Sequence, residues 1–446
     1  MMQFTESAAA SPFSGSESPP AGLLLNLNGG PNSHAGDWPW PHYPASGKTS
    51  LGRYNSGAFM EQLLLHCAYA IEANDATLAQ QILWVLHNIA PPDGDPNQRL
   101  TAAFVRALIL RASRSGSPCG SLASTVAAQD APLCLPAVAL AGFVDLTPWH
   151  RFGFTAANAA IADATDSFPV IHIVDLTTTY SMQIPTLIDS LACRPDGPRF
   201  IRLTVISPSP ANSPPPTLET SFDDLGSRLV NFARSRNVGM EFRQVPASPS
   251  DGLDALVRHL RVQQLVAVGE ALVINCHMML HYIPEETVGN STFSQRITFL
   301  KALRALEPTL VVVVDEDANF TSGDVVGRIR AAFNYLWIPF EAVDSFLPKD
   351  SQQRHRYESA IRWKIENLIA MEGIQRVERL ETRGRWVQKM RRLGFRGVGF
   401  GEEAAAEVKG VLEEHSAGWG MKKDEERLVL TWKGHDAVFA SAWVPS

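Results

Sequence analysis

Two apolar runs, VIHIVD (Val170 to Asp175) and FIRLTVIS (Phe200 to Ser207), lie one helix apart and write out half of a doubly wound α/β fold. Such a unit commits the chain to a mostly parallel sheet with helices on both faces, because parallel neighbours need a crossover long enough to hold a helix. What the unit omits is equally constraining. A nucleotide or nucleoside cofactor lies against the turn after the first strand, where glycine lets backbone approach phosphate or ribose at little steric cost. Here Asp175 runs into LTTTYSMQIPTLIDSLACRPDG, and the first glycine downstream is Gly197. The second strand ends in Ser207, Pro208, Ser209 and Pro210, where an acidic residue would hold a ribose hydroxyl. The pattern predicts an enzyme-like scaffold put to a use other than chemistry, with no catalytic residue, no cofactor and no metal ligand assigned.

The alternation continues downstream. FDDLGSRLVNFARSRN reads as helix and MEFRQV as strand; residues 253–264 read as helix and ALVINC as strand, with HMMLHYI its continuation into a helix. TFSQRITFLKALRALE is a helix before TLVVVVDED, a β-branched run typical of a strand buried on both faces. Two long helices follow, in GDVVGRIRAAFNYLWIPFEAVDSFLP and QQRHRYESAIRWKIENLIAMEG, and RLVLTWKGHDAVFASAW reads as a terminal hairpin adding antiparallel strands. Upstream, FMEQLLLHCAYAIEAN, DATLAQQILWVLHNIA and QRLTAAFVRALILRAS carry helical periodicity, with Asp75 placed to cap the second; further helices fall near 136–145 and 155–164. The expected organisation is a helical cap over 58–165 on an α/β core over 166–446. Residues 1–57, rich in Ser, Pro, Gly, Asn and Ala, bury too little surface to offset the entropy of ordering and read as disordered.

A net charge of -7 excludes a chain that binds polyanions over its whole surface and leaves room only for a local basic face. Cys67, Cys119, Cys134, Cys193 and Cys276 are scattered and never form a CxxC pair, so free, mostly buried thiols in a reducing compartment are expected. No run approaches the roughly 18 apolar residues that span a bilayer, and the first twenty residues lack a secretory pattern, so the chain reads as intracellular and soluble.

That local basic face is legible. Arg376, Arg379, Arg383, Arg385, Lys389, Arg391, Arg392 and Arg396 are opposed in the same stretch only by Glu378 and Glu381. On a helix, Arg385, Lys389 and Arg392 stack on one stripe beside an apolar stripe of Trp386, Met390 and Leu393, and Gly394 ends it. With Arg383 and Arg396 they form a candidate face for a phosphate backbone or an acidic partner. The competing reading is a solvated face paired with local carboxylates. His277 and His281, spaced i and i+4, share a helical face, but Met stands where a zinc protease needs Glu, so structural histidines are expected. His172 and Asp175 point to opposite faces of their strand, and Asp175 is expected to bond to backbone or an arginine at the sheet's carboxyl edge.

In chain order, IHIVD (Ile171, His172, Ile173, Val174, Asp175), DEDAN (315–319), RYE (356–358), RVER (Arg376, Val377, Glu378, Arg379), Trp419-Gly420 and SAW (Ser441, Ala442, Trp443) resemble the motif blocks of the plant GRAS family of transcriptional regulators. The resemblance covers residues 59–446; LTTTYSMQIP departs from a stretch that holds more glycine in many relatives, and WIPFEAVD departs from the usual PFYRE block. It implies a nuclear, noncatalytic regulator with a helical cap on a Rossmann-like, methyltransferase-like core. It further implies a homodimer or a heterodimer with related regulators, and partners that bind DNA, such as zinc-finger proteins; direct contact with double-stranded DNA through the basic helix stays open. Two other classes fit the same scaffold: an S-adenosylmethionine-dependent transferase, and a noncatalytic sensor of a small ligand held between cap and sheet.

Overall fold

In a computed structural model the described residues are 57–114, 133–194, 200–207, 213–264, 269–285 and 294–446. The segment read as disordered lies outside them, apart from Gly57. The chain enters through α1 (Gly57–Glu72), α2 (Ala76–Ile89) and α3 (Pro96–Arg114). Asp75 accepts the Leu78 N–H at 3.0 Å, the N-cap its position predicts. α4 (Ala137–Val144) and α5 (Pro148–Ala164) follow, α5 starting earlier than the periodicity suggested because Thr147 caps it and Pro148 occupies a first-turn site that needs no N–H donor.

The α/β half then runs β1 (Val170–Thr177), α6 (Ile184–Ala192), β2 (Phe200–Ile206), α7 (Phe222–Ser235), β3 (Gly239–Val245), α8 (Asp254–Gln264), β4 (Ala271–His277), α9 (Gln295–Ala305) and β5 (Leu310–Glu316). These five strands are parallel. After α10 (Val325–Asp344), α11 (Gln352–Ala370) and α12 (Arg383–Arg392) come β6 (Phe395–Val398), α13 (Glu402–Glu413), β7 (Trp419–Asp424), β8 (Arg427–Trp432) and β9 (His435–Pro445). The nine-stranded sheet has the order β3-β2-β1-β4-β5-β9-β8-β7, with β6 against β9. β9 is antiparallel to both β5 and β8, so the hairpin inserts its last strand into the sheet and leaves β8 parallel to the first five strands. This is the Rossmann-like, methyltransferase-like arrangement expected. The hairpin turn is the two residues Lys433 and Gly434, both at positive φ (47° and 85°), which matches the twist of paired strands.

Every residue of β5 is buried, and its valines divide between two cores: Val312 and Val314 join the cluster holding Ile171, Ile173 and Leu430, whereas Val311 and Val313 join Val174, Trp386 and Trp443. α3 packs on α10 and α11 and α1 on α10, with α2 against α1 and α3, and ion pairs fasten that contact: Arg99 to Glu358 at 3.0 Å, Arg111 to Glu372 at 2.8 Å, and Arg106 to Glu366. α5 instead crosses the sheet over β5 and β9. The helical layer thus draws on both ends of the described chain, and residue 165 does not mark its edge; the ion pairs that bind it span more than 250 residues and leave no trace in local periodicity. Cys67 and Cys276 are buried, but Cys134 and Cys193 are exposed at element ends, which corrects the expectation of mostly buried thiols; Cys119 lies outside the described residues. Among the described residues no helix is long and apolar enough to cross a membrane.

Candidate functional site

Strand order reverses between β1 and β4, so their carboxyl ends form the crevice where open α/β sheets bind ligands. Register sets Asp175 beside Asn275. Asn275 Nδ2 donates to Asp175 Oδ1 at 2.7 Å and Ser181 Oγ donates to Oδ2 at 2.6 Å, so the partners are side chains rather than the backbone or arginine expected. Burial pushes the Asp175 carboxyl up to about 6, with the Ser181 and Asn275 bonds acting against it. Gln183 and Asn158 extend the network, ending on Thr186.

The turn after β1 takes the left-handed backbone that glycine usually supplies, yet at Tyr180 (φ 52°) and Ser181 (φ 58°). Their side chains therefore stand in the crevice: with Phe222, Met279 and Pro214, Tyr180 leaves about 30 Å³ beside Asp175. That is room for a water or two, against the ~300 Å³ or more of ordinary ligand pockets. His172, on the other face of β1, meets Thr204 Oγ1 at 2.9 Å, and burial with Arg202 nearby lowers its pKa to about 4.

A second polar network, not anticipated, lies at the end of β5. Asp315 Oδ1 faces His281 Nδ1 at 2.8 Å, Tyr282 donates its hydroxyl to Glu378 Oε1 at 3.0 Å, and Glu316 accepts from Trp149 Nε1 at 3.1 Å and from Lys364. Burial alone would push the Lys364 ammonium down; the Glu316 and Glu378 carboxylates outweigh it and hold the pKa above the ordinary lysine range. Burial raises the pKa of Glu378. Lys364 and Trp149 are not legible in the sequence as site residues because each lies far along the chain from Glu316. Only the acidic run of DEDAN hinted at such a centre.

His277 and His281 do not share a helical face. His277 ends β4, Met278 turns the chain at φ 51°, and a single 3-10 turn, Leu280–Tyr282, carries His281 away. His277 Nε2 meets His150 Nδ1 at 3.1 Å, and burial drives both rings below the usual histidine range. Among the described residues no group of three or more His, Cys, Asp or Glu side chains is placed to hold a metal ion.

The basic stretch divides. Arg376 donates to the Phe320 and Ser322 carbonyls and Arg379 to Gly373 O, and both are buried, so they serve the fold. α12 forms as expected, burying Trp386 and Met390 and closing at Gly394 (φ 79°). Its cationic stripe is interrupted, however. Lys389 turns inward to Glu285 at 2.7 Å and to Glu381, which also binds Arg296, while Arg383 pairs with Asp317, Asp424 and Asp436. Arg385, Arg392 and Arg396 remain exposed, whereas the nearby Arg304 donates to Gly394 O at 2.7 Å and pairs with Glu307. Among the motif residues, Ile171, His172, Ile173, Val174, Asp175, Glu378, Ser441, Ala442 and Trp443 are buried as well.

A methyltransferase-like sheet whose crevice beside Asp175 is filled, under a helical layer held together by ion pairs between residues distant in sequence, defines a class of protein built on an enzyme fold. The chain belongs to the GRAS domain family, whose model matches residues 60–444. It is 54% identical over 390 residues to Scarecrow-like protein 32 of Arabidopsis thaliana, covering 87% of this chain and 94% of that one. It is 31% identical to the Arabidopsis protein SHORT-ROOT, covering 86% and 73%, and 30% identical to the Arabidopsis Scarecrow-like transcription factor PAT1, covering 85% and 75%. The crystal structure of SCL7 in Oryza sativa superposes with a TM-score of 0.68 at 25% identity, covering 86% of this chain and 99% of that one. These relatives are plant transcriptional regulators.

Proposed function

We propose that the protein is a nuclear, noncatalytic transcription regulator that presents its helical layer to protein partners and the α12 end of its sheet domain to DNA. The observation that carries the noncatalytic part is the filled crevice beside Asp175, with about 30 Å³ where a nucleoside would need an open cradle. The DNA-facing part rests on Arg385, Arg392 and Arg396, which stay solvent-exposed while neighbouring cations are consumed by carboxylates. Partner binding, as a homodimer, with a related regulator or with a zinc-finger protein, is supported by Trp84 and Tyr69, 62% and 48% exposed on α2 and α1. The test is DNA binding by the full chain at several salt concentrations, for the parent and for a variant with Arg385, Arg392 and Arg396 changed to Gln. Each lost phosphate contact lowers the salt slope by about 0.9, so a slope reduced by about 2 to 3 supports the reading. An unchanged slope and affinity would leave the arginines as solvation only. Titration with S-adenosylmethionine is the companion experiment, and measurable binding would restore the transferase reading.

A further inference from the structure

A second space opens a short way from the filled crevice. A cavity of about 110 Å³ lies over the carboxyl ends of β1, β4 and β5, between the sheet and helices α4, α10 and α11. It is smaller than the ~150 Å³ void that admits benzene and larger than a water site needs. Phe143, Leu336 and Ile361 give it apolar walls, and Lys364, Tyr357 and His281 supply polar groups.

The polar groups are built and partly unspent. His281 is 1% exposed; its Nδ1 is engaged by Asp315, and its Nε2 has no hydrogen-bond partner among the described residues, the Glu378 carboxylate standing 3.7 Å away. With Nδ1 engaged by Asp315, Nε2 is the ring atom left for a guest. Lys364 has three N–H donors; Glu316 takes one, and Glu378 stands at 3.9 Å. Two polar atoms with bonding capacity left thus line one small space, and a hydroxyl, which both donates and accepts, can meet both.

Charge narrows the class. The two oxygens of Glu316 are occupied by Trp149 and Lys364, so an ammonium entering the cavity finds no free carboxylate on its wall and is opposed by Lys364. An anion would sit beside Glu316, whose carboxylate already holds the Lys364 ammonium, and either ion would be stripped of water without an unspent counter-charge on the wall. We propose that this cavity binds an uncharged, hydroxyl-bearing small molecule with a compact apolar body, its hydroxyl meeting His281 Nε2 and accepting from Lys364. This goes beyond the regulatory reading above and does not depend on DNA contact.

The test uses full-length protein carrying carbon-13 in its isoleucine methyl groups, titrated separately with propan-2-ol, isopropylammonium and acetate, three probes of similar size. Propan-2-ol should shift the Ile361 methyl signal saturably while leaving Ile82 of α2 in place, and should bind at least ~10-fold more tightly than either ion. Ala360→Leu, on the same wall, should abolish the shift if the variant folds; the Ile361 signal of the parent locates the site if it does not. Absence of an Ile361 shift with propan-2-ol, or an equal response to the charged probes, would overturn the proposal.

Discussion

Asp175 supplies a test of the carboxyl-edge network that reads protonation directly. Its carboxyl is 1% exposed and titrates in the fold at about 6, against 3.8 for the free side chain. Between those values the folded state holds a proton that the unfolded chain has released. Stability contributed by the protonated form is therefore complete below about pH 4 and lost as pH rises through 6. Two units at about 1.4 kcal/mol each give a swing of ~3 kcal/mol. Asp175→Asn keeps the size and cannot ionise, so it lacks this dependence whatever constant offset the lost acceptor introduces. Urea unfolding of the full chain and of the variant from pH 4 to 7.5 measures the difference. The variant should gain ~3 kcal/mol relative to the parent across the window, most of it between pH 4.5 and 6.5. Parallel profiles would refute the account, since they would mean that Asp175 is solvated or ionised in the fold at ordinary acidity.

Gly153→Ala would put a methyl 2.5 Å from Val314 Cγ1 and 2.7 Å from His277 Cε1, where α5 crosses the sheet, and should destabilise by ~1 to 3 kcal/mol in chemical denaturation. Lys389→Met removes one of two cations from Glu381, which is 2% exposed as a side chain, and should cost about 2 kcal/mol, whereas Arg392→Ala should stay within ~0.5 kcal/mol; comparing urea midpoints and slopes separates a buried pair from a surface arginine. Asp75→Ala should lower stability by ~1 kcal/mol through loss of the α2 cap, read in the same way.

What could be read in advance was what local physics controls. The β-branched run at β5 announces a strand buried on two faces, Lys433-Gly434 sits where a two-residue turn must, and Asp75 caps the helix it precedes. Long-range capture was invisible. Lys389 lies on the helical stripe as expected, but Glu285, 104 residues away, decides that it faces inward. The i and i+4 spacing of His277 and His281 carries meaning only on a helix, and Met278 at φ 51° breaks the chain there. β7 is not legible in the sequence, because its alternation is interrupted by the adjacent exposed Lys422 and Lys423.

The motif blocks and the proposed recognition surfaces occupy different parts of the molecule, and the physical reason bears on how variants should be interpreted. In a cofactor-binding fold the polar groups at the carboxyl edge are satisfied in part by the ligand. Here the protein satisfies many of them itself: Asp175 through Asn275 and Ser181, Asp315 through His281, Glu316 through Trp149 and Lys364, Glu378 through Tyr282. Three of the blocks, IHIVD, DEDAN and RVER, supply acids to this edge, and SAW anchors β9 along the amino half of β5, with Ser441 Oγ donating to Val313 O at 3.2 Å. Removing one member leaves a buried polar group unpaired, which costs ~1 to 3 kcal/mol for a neutral partner and more for an ion. A substitution in a block should therefore lower stability and reduce DNA or partner binding only through loss of folded protein. A block variant with an unchanged unfolding midpoint that nonetheless fails to bind would show that the buried network communicates with the surface, and would move recognition back to the motifs.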